Sequence, residues 1–265
     1  MARFATLCSG SSGNSAYIGK SDGAGILIDA GVNCKRLSAA LTAVGGQPDM
    51  LRAVFITHEH VDHVSAVRVL CNKYRIPVFA TEGTLCAMRR QGRLDGDFEV
   101  NIMPVGTSVT VAGIRITSFR TSHDSADSCG YIAVLPDERK IAVLTDTGYV
   151  TPEAYVAVRG SDLILLESNH DEHMLLYGPY DMYLKQRIRG KQGHLSNRDC
   201  ADAAVRFVRD GTSRLILAHL SRENNTPEKA FEETNTALIR AGFVQNRDYF
   251  LSVAPAEGCE GQIIF

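Results

Sequence analysis

At 265 residues, 45% of them apolar and 22% charged, the chain has the make-up of an ordinary soluble globular protein with ample length for a core. Lys plus Arg (28) against Asp plus Glu (30) leaves a formal charge of −2, which excludes a uniformly basic nucleic-acid binder but not a local basic patch. No apolar run approaches the ~18 residues of a membrane span, and no charged-then-apolar leader opens the chain.

In chain order, short apolar runs bounded by Gly, Pro, Asp or Ser predict strands over 3–8, 15–19, 25–30, 52–57, 77–81, 114–119, 130–135 and 140–145. Apolar spacing of three and four predicts helices over 35–44 and 64–74, and again over 196–210 and 226–242. The last helix has Thr226 as N-cap, Pro227 at its first position and Gly242 beyond its end. Strands over 161–168 and 213–220 alternate with these later helices. No Pro- or Ser-rich linker, repeat or low-complexity segment interrupts the chain, so 1–265 reads as one domain of the α/β class. Consecutive strands early and alternation later suggest two sheets with helices outside. Periodicity alone does not separate that from a single open sheet. The seven cysteines, Cys8, Cys34, Cys71, Cys86, Cys129, Cys200 and Cys259, form no CxxC pair, and the expectation is reduced, mostly buried thiols in a cytoplasmic protein.

The densest chemistry lies in "FITHEHVDHVSAV", residues 55–67. His58, His60, Asp62 and His63 sit where a predicted strand gives way to a helix starting near His63. Alternation along the extended part puts His58 and His60 on one side, and the turn into the helix brings Asp62 and His63 round from another direction. One tetrahedral ion does not readily take four ligands from six linked residues, so two neighbouring ions are expected. Further ligands are then needed, and His123 in "FRTSHDSAD", Asp146 in "AVLTDTGYV" and His219 in "LILAHLSREN" stand at the ends of later strands. A lone histidine at a strand end is usually an ordinary core or surface residue; the HxHxDH cluster is what raises the other three. All-nitrogen-and-oxygen ligation suits zinc and tolerates manganese or iron, with zinc favoured and manganese the main alternative. Two ions roughly 3.5–4 Å apart make hydrolysis the default chemistry.

"THEHVDH", preceded by "LIDAG" and followed by "TDTG", resembles the metallo-β-lactamase fold superfamily. The resemblance implies a four-layer αββα sandwich with a dinuclear site at one end of two sheets. It also implies that His58, His60 and His123 hold one ion, that Asp62, His63 and His219 hold the other, and that Asp146 bridges them. Asp29 of "LIDAG" matches the early aspartate that braces the ligand loop.

That fold hosts many reactions, so the substrate must be read elsewhere. In "YLKQRIRGKQGHLSNRD", Lys185, Arg187, Arg189, Lys191 and Arg198 surround His194, with no acidic residue between Asp181 and Asp199. Cations suit phosphates, and His194 can donate a hydrogen bond or proton to a departing oxygen. "GHLS" before a second "HLS" at His219 resembles the paired late histidines of the phosphodiesterase branch that includes ribonucleases Z and J, where the earlier histidine contacts the scissile phosphate. Ser196, Asn169 and Lys191 are the other expected substrate contacts, while the Gly10–Gly13 turn is a weaker phosphate cradle and His170 and Asp171 are candidates to line the cleft. Over nearly the whole chain, "RFATLCSGSSGNSAYI", "ESNHDEHML", "GPYDMYLKQRIRGKQGHLSN" and "LAHLSRENNTPEKA" resemble the YycJ/WalJ family of bacterial metallo-hydrolases. This resemblance implies a cytoplasmic 5′-to-3′ DNA exonuclease linked to mismatch repair, which makes DNA a better partner than RNA. In the hydrolysis expected on the two ions, Asp62 accepts the proton of the attacking water and His194 stabilises the departing oxygen. At 265 residues there is little room for the exosites of ribonucleases Z and J, so either a short end enters directly or a homo-oligomer adds surface. Two alternatives remain. One is hydrolysis of a small ester, thioester or cyclic phosphodiester on the same ions; the other is a silent regulatory protein, whose expected mark, lost ligands, is absent.

Overall fold

The computed structural model describes residues 2–257 and 263–264, so Cys259 lies outside it. The chain forms two compact units, one of residues up to 118, 125–129 and the described residues from 255 on, the other of 119–124 and 130–254.

In the first unit the strands β1 (Ala2–Cys8), β2 (Ser15–Lys20) and β3 (Gly25–Ile28) form an antiparallel meander. From β3 the pattern changes. β4 (Leu51–Phe55), β5 (Val78–Ala80) and β6 (Val100–Ile102) each add in parallel. Parallel neighbours need crossovers, and these are α1 (Cys34–Ala43), then α2 (Val61–Val64) with α3 (Val67–Tyr74), then α4 (Glu82–Arg90). Leu37, Leu41, Val67, Leu70 and Leu85 from these helices pack with Leu27, Val54 and Val78 of the sheet. A hairpin of β7 (Ser108–Val111) and β8 (Ile114–Arg120) follows, with Val111 paired to Ile114. Because β3 and β4 run parallel with Ile28 level with Phe55, the residues leaving both strands emerge side by side. Asp29 N donates to Phe55 O at 2.8 Å at that edge.

The second unit repeats the arrangement. Its strands β9 (Cys129–Val134), β10 (Lys140–Leu144), β11 (Leu163–Glu167), β12 (Arg214–Ala218) and β13 (Phe250–Val253) lie in that spatial order. Only β9–β10 is antiparallel; the rest pair in parallel. The crossover helices are α5 (Pro152–Val158), then α6 (Glu172–Tyr177), α7 (Met182–Arg189) and α8 (Asn197–Arg209), then α9 (Pro227–Arg240). β11 is buried along its whole length, as expected of a parallel strand covered on both faces. On α8, Cys200, Ala203, Ala204, Phe207 and Val208 fall at helical spacing and join Ile164, Leu166 and Leu217 in the core. Register sets Leu144 beside Leu166 and Glu167 beside Ala218, so Asp146, Glu167 and His219 leave neighbouring strands at one edge.

Among the described residues, no helix is long and apolar enough to cross a membrane, and the six described cysteines form no disulfide.

Candidate metal centre

Three of the expected site residues share an uncommon backbone. Asp29, Asp146 and His219 have φ of 61°, 55° and 57°. Each stands one or two residues past a strand, where a left-handed residue turns the chain sharply off the sheet. Asp and His tolerate that region better than branched residues do, at a cost of order 1 kcal/mol each. Strain of this kind persists only where surrounding hydrogen bonds hold it.

In the first unit those bonds centre on Asp29, which is 2% exposed. Its Oδ1 accepts from Thr57 N at 2.8 Å, and its Oδ2 accepts from Thr57 Oγ1 at 2.9 Å and from His63 Nδ1 at 2.8 Å. Burial pushes the Asp29 carboxyl up, against the opposing pull of His63 and Thr57. Thr57 Oγ1 also lies 3.0 Å from His58 Nδ1. Both rings therefore have Nδ1 engaged, which makes Nε2 the nitrogen that would face an ion. His58 lies within 4.5 Å of His60 and 4.1 Å of His63, ring centre to ring centre. The helix α2 begins at Val61, two residues before His63, with His60 at its N-cap position, so Asp62 and His63 occupy its first turn.

Asn14 completes this corner. Its Oδ1 accepts from Gly10 N and its Nδ2 donates to Gly10 O, closing the Gly/Ser turn on itself. The same Nδ2 lies 3.3 Å from Asp62 Oδ2 and 3.1 Å from His63 Nε2. Asn14 N donates to Asp62 O at 2.8 Å. Gly31 must be glycine for this approach, since a Cβ there would stand 1.6 Å from the Asp62 carbonyl oxygen. The final glycine of "LIDAG" is thus a packing requirement of the ligand loop.

In the second unit the hub is Glu167, 0% exposed. Its Oε1 accepts from His194 Nδ1 at 2.7 Å and His219 Nδ1 at 2.8 Å, and its Oε2 accepts from Thr147 N at 2.8 Å and Leu195 N at 3.2 Å. Burial alone would raise this carboxyl, but the imidazoles of His194 and His219 hold it well below the usual carboxylate range. Asp29, with one imidazole beside it instead of two, moves the other way. His123 gives Nδ1 to Gly193 O at 3.1 Å, and burial pushes its pKa down, toward the neutral form a metal ligand requires. Asp146 Oδ1 lies 3.8 Å from His123 Nε2 and 3.4 Å from His219 Nδ1. Donor atoms of Asp146, Glu167, His194 and His219 all fall within 4.8 Å of one another.

This donor set fits a divalent cation. In four of the five expected histidine ligands, His58, His63, His123 and His219, Nδ1 is occupied by an oxygen of the protein, which orients the ring. Both oxygens of Glu167 are each used twice, so Glu167 holds the imidazoles of His194 and His219 in place.

A domain model described as the beta-lactamase superfamily domain matches residues 25–220. The chain belongs to the metallo-β-lactamase superfamily. Within the superfamily it is 39% identical over 242 residues to a protein of Streptococcus pneumoniae named exodeoxyribonuclease WalJ, covering 90% of this chain and 89% of that one. It is 37% identical over 241 residues to exodeoxyribonuclease YycJ of Bacillus anthracis, covering 91% and 90%. Among solved structures, the crystal structure of zinc-bound PqqB from Methylobacterium extorquens aligns over the full length of both chains with a TM-score of 0.73 at 15% identity, which shows the shared metallo-β-lactamase fold.

Asn169 and Ser196, two other expected contacts, are engaged inside the protein. Asn169, 5% exposed, gives its amide to His219 O at 2.8 Å and so helps hold the left-handed residue. Ser196 is the N-cap of α8, its Oγ accepting from Asp199 N at 3.1 Å, a role worth about 1 kcal/mol. Asp171 caps α6. Of the cations near His194, Lys185 donates to Leu176 O and Gly178 O, Arg187 pairs with Asp124, and Lys191, Arg189 and Arg198 are exposed. Glu167, Asn14 and Thr57 were not anticipated. For Glu167 a signal existed, an acid closing the apolar run "LILLE", the same signature that marks Asp146.

His170 is 2% exposed and its Nδ1 has no hydrogen-bond partner. Burial pushes its pKa down to about 4. Between that value and its ordinary value of about 6.5 the unfolded chain binds the extra proton, so stability falls as pH falls through this window, by about 1.4 kcal/mol per unit at most from this group. Urea unfolding of wild type and His170→Gln should therefore diverge between pH 6.5 and 4, the variant losing less. Parallel curves would show that His170 is protonated in the fold.

Proposed function

We propose that this protein is a metal-dependent phosphodiester hydrolase that degrades DNA from an end, in the 5′-to-3′ direction, as a cytoplasmic repair enzyme. The observation that carries the reading is identity of 37–39% over nine-tenths of the chain to two proteins named as exodeoxyribonucleases, joined to a complete set of oriented histidines and carboxylates. On the superfamily pattern, residues 1–265 act as one catalytic domain. On that pattern His58, His60 and His123 would hold one ion and Asp62, His63 and His219 another, with Asp146 serving both and zinc preferred to manganese.

Bound divalent cations supply Lewis-acid charge and bring the pKa of water towards ~7. The chain's own residues do the rest. Asp62, with its side chain 25% exposed and one oxygen held by Asn14, accepts the proton of the attacking water. His194, 17% exposed at the side chain and held through Nδ1 by Glu167, presents Nε2 to the departing oxygen. Exposed Lys191, Arg189 and Arg198 attract the phosphate backbone.

The test is a product ladder from end-labelled single- and double-stranded DNA and RNA, with zinc or manganese restored after chelation. Stepwise shortening of DNA from the 5′ end is expected, with activity falling steeply as salt rises. Turnover of small esters without any cleavage of nucleic acid would assign the protein to the other hydrolytic class.

A further inference from the structure

The stretch before His194 carries a feature that the hydrolytic chemistry does not use. Tyr177 is 73% exposed and Tyr183 79%, although the composition offers only nine tyrosines and most large apolar side chains are covered. Both rings lie on the α6–α7 segment. Lys185 fastens the two helices together, its Nζ donating to Leu176 O at 2.9 Å and Gly178 O at 2.8 Å. Tyr183 and Arg187 stand four residues apart on α7 and so share a face. With Gln186, Lys191 and Asp124 they line an open cleft of about 570 Å³.

The floor of this cleft is tied down by hydrogen bonds and runs along the chain to His194. Ser122 Oγ donates to Lys191 O at 2.8 Å, Asp124 N donates to Gln192 O at 2.9 Å, and Gly193, which immediately precedes His194, accepts from His123 Nδ1. Gly148 of "TDTG" permits the approach, since a Cβ there would lie 2.3 Å from Lys191 O. Arg187 gives Nε and Nη2 to Asp124, which fixes the guanidinium, and among the described residues Nη1 has no hydrogen-bond partner. An exposed ring, a braced guanidinium and an exposed ammonium in one groove match the alternation of base and phosphate along a single strand. Base–aromatic stacking tolerates any sequence because every base has a π-face.

We propose that the cleft of Tyr183, Arg187 and Lys191 is a track for single-stranded nucleic acid, with Tyr183 stacking on a base and the two cations holding flanking phosphates. This rests on the nuclease reading above, and the experiment separates the two. Fluorescence anisotropy of a labelled, 5′-phosphorylated deoxythymidine oligomer on chelated, full-length protein reads binding without turnover; the product ladder of wild type reads hydrolysis. Tyr183→Ala should weaken binding about tenfold or more, while Tyr183→Phe should bind like wild type. Lys191→Gln should flatten the dependence of log affinity on log salt by about one phosphate contact. Tyr183→Ala binding as tightly as wild type would overturn the track, whatever the ladder shows. So would a shift from dimer to monomer in Tyr183→Ala by sedimentation velocity, with binding unchanged, since the ring would then belong to an interface between copies. Weakened binding with no ladder in wild type would leave the track standing and remove the nuclease reading.

Discussion

Replacing Glu167 with glutamine is expected to lower turnover at least about a hundredfold and to reduce metal content, as losses of groups behind metal-binding histidines commonly do. The two carboxylate oxygens are each acceptors for two donors: Oε1 for His194 Nδ1 and His219 Nδ1, Oε2 for Thr147 N and Leu195 N. Glutamine has one acceptor face and one donor face. With its oxygen toward the rings, its amide meets two backbone N–H groups that have lost their acceptor. With the amide toward the rings, both imidazoles must move their proton to Nε2 or turn away, and His219 then offers a proton where a lone pair is needed. Either orientation strands buried donors, at roughly 1–3 kcal/mol each. Urea unfolding should show a loss of about 3 kcal/mol, and elemental analysis after dialysis should show less metal per chain. Wild-type turnover and metal content in Glu167→Gln would mean that the shared carboxylate orients nothing.

Residue types at strand ends made much of the candidate site readable. An apolar run closing on Asp or His places a polar group where a sheet stops, and Asp29, Asp146 and His219 were all visible on that ground. Glu167 obeys the same rule but closes its run before "SNH", whose Asn and His drew the reading outward to a cleft; both are buried. Asn14 looked like one more polar residue in a Gly/Ser turn. Its hydrogen bonds to Gly10 are local to the turn, and the contacts that tie it to the ligand loop come from Asp62 and His63, 48 and 49 residues on. The helices α4 to α7 escaped periodicity because they have only six to nine residues, and because Gly83 and the "GPYD" break sit among them. Their caps are conventional even so: Thr81, Thr151, Asp171 and Asp181 each accept from the N–H three residues on. Short helices on a parallel sheet are held by packing more than by propensity, and packing is not visible in a local window.

The same device occurs twice. In each unit a buried acid at the end of a parallel strand takes the Nδ1 proton of a histidine at a neighbouring strand or loop: Asp29 for His63, Glu167 for His219. Parallel register makes this possible, because it delivers the ends of adjacent strands to one edge. Main-chain donors, Thr57 N in one case and Thr147 N in the other, occupy the acid's other oxygen. Each histidine is thereby fixed before any ion arrives, so little orientational entropy is left to lose on binding.

Asp62→Ala is expected to abolish turnover, by about a thousandfold or more, with little change in stability. The fold uses Asp62 through its main chain: its carbonyl accepts from Asn14 N and packs on Gly31, and neither contact involves the carboxylate. The carboxylate lies 3.3 Å from Asn14 Nδ2 and 3.5 Å from His63 Nε2, and a quarter of the side chain is exposed. Alanine also suits the first turn of α2. The change in unfolding free energy should stay within about 1 kcal/mol. If Asp62 receives the water's proton as proposed, its loss removes an interaction made on the way to the transition state, so kcat should fall and KM should move little. Asp62→Asn tests the same point more closely, since it keeps shape and hydrogen bonding to Asn14 but is far too weak a base to take the proton. It should be nearly as inactive as alanine. Full activity in metal-replete Asp62→Asn would transfer the proton-accepting role to another group, and a collapse of stability in either variant would show that the carboxylate was holding the loop after all.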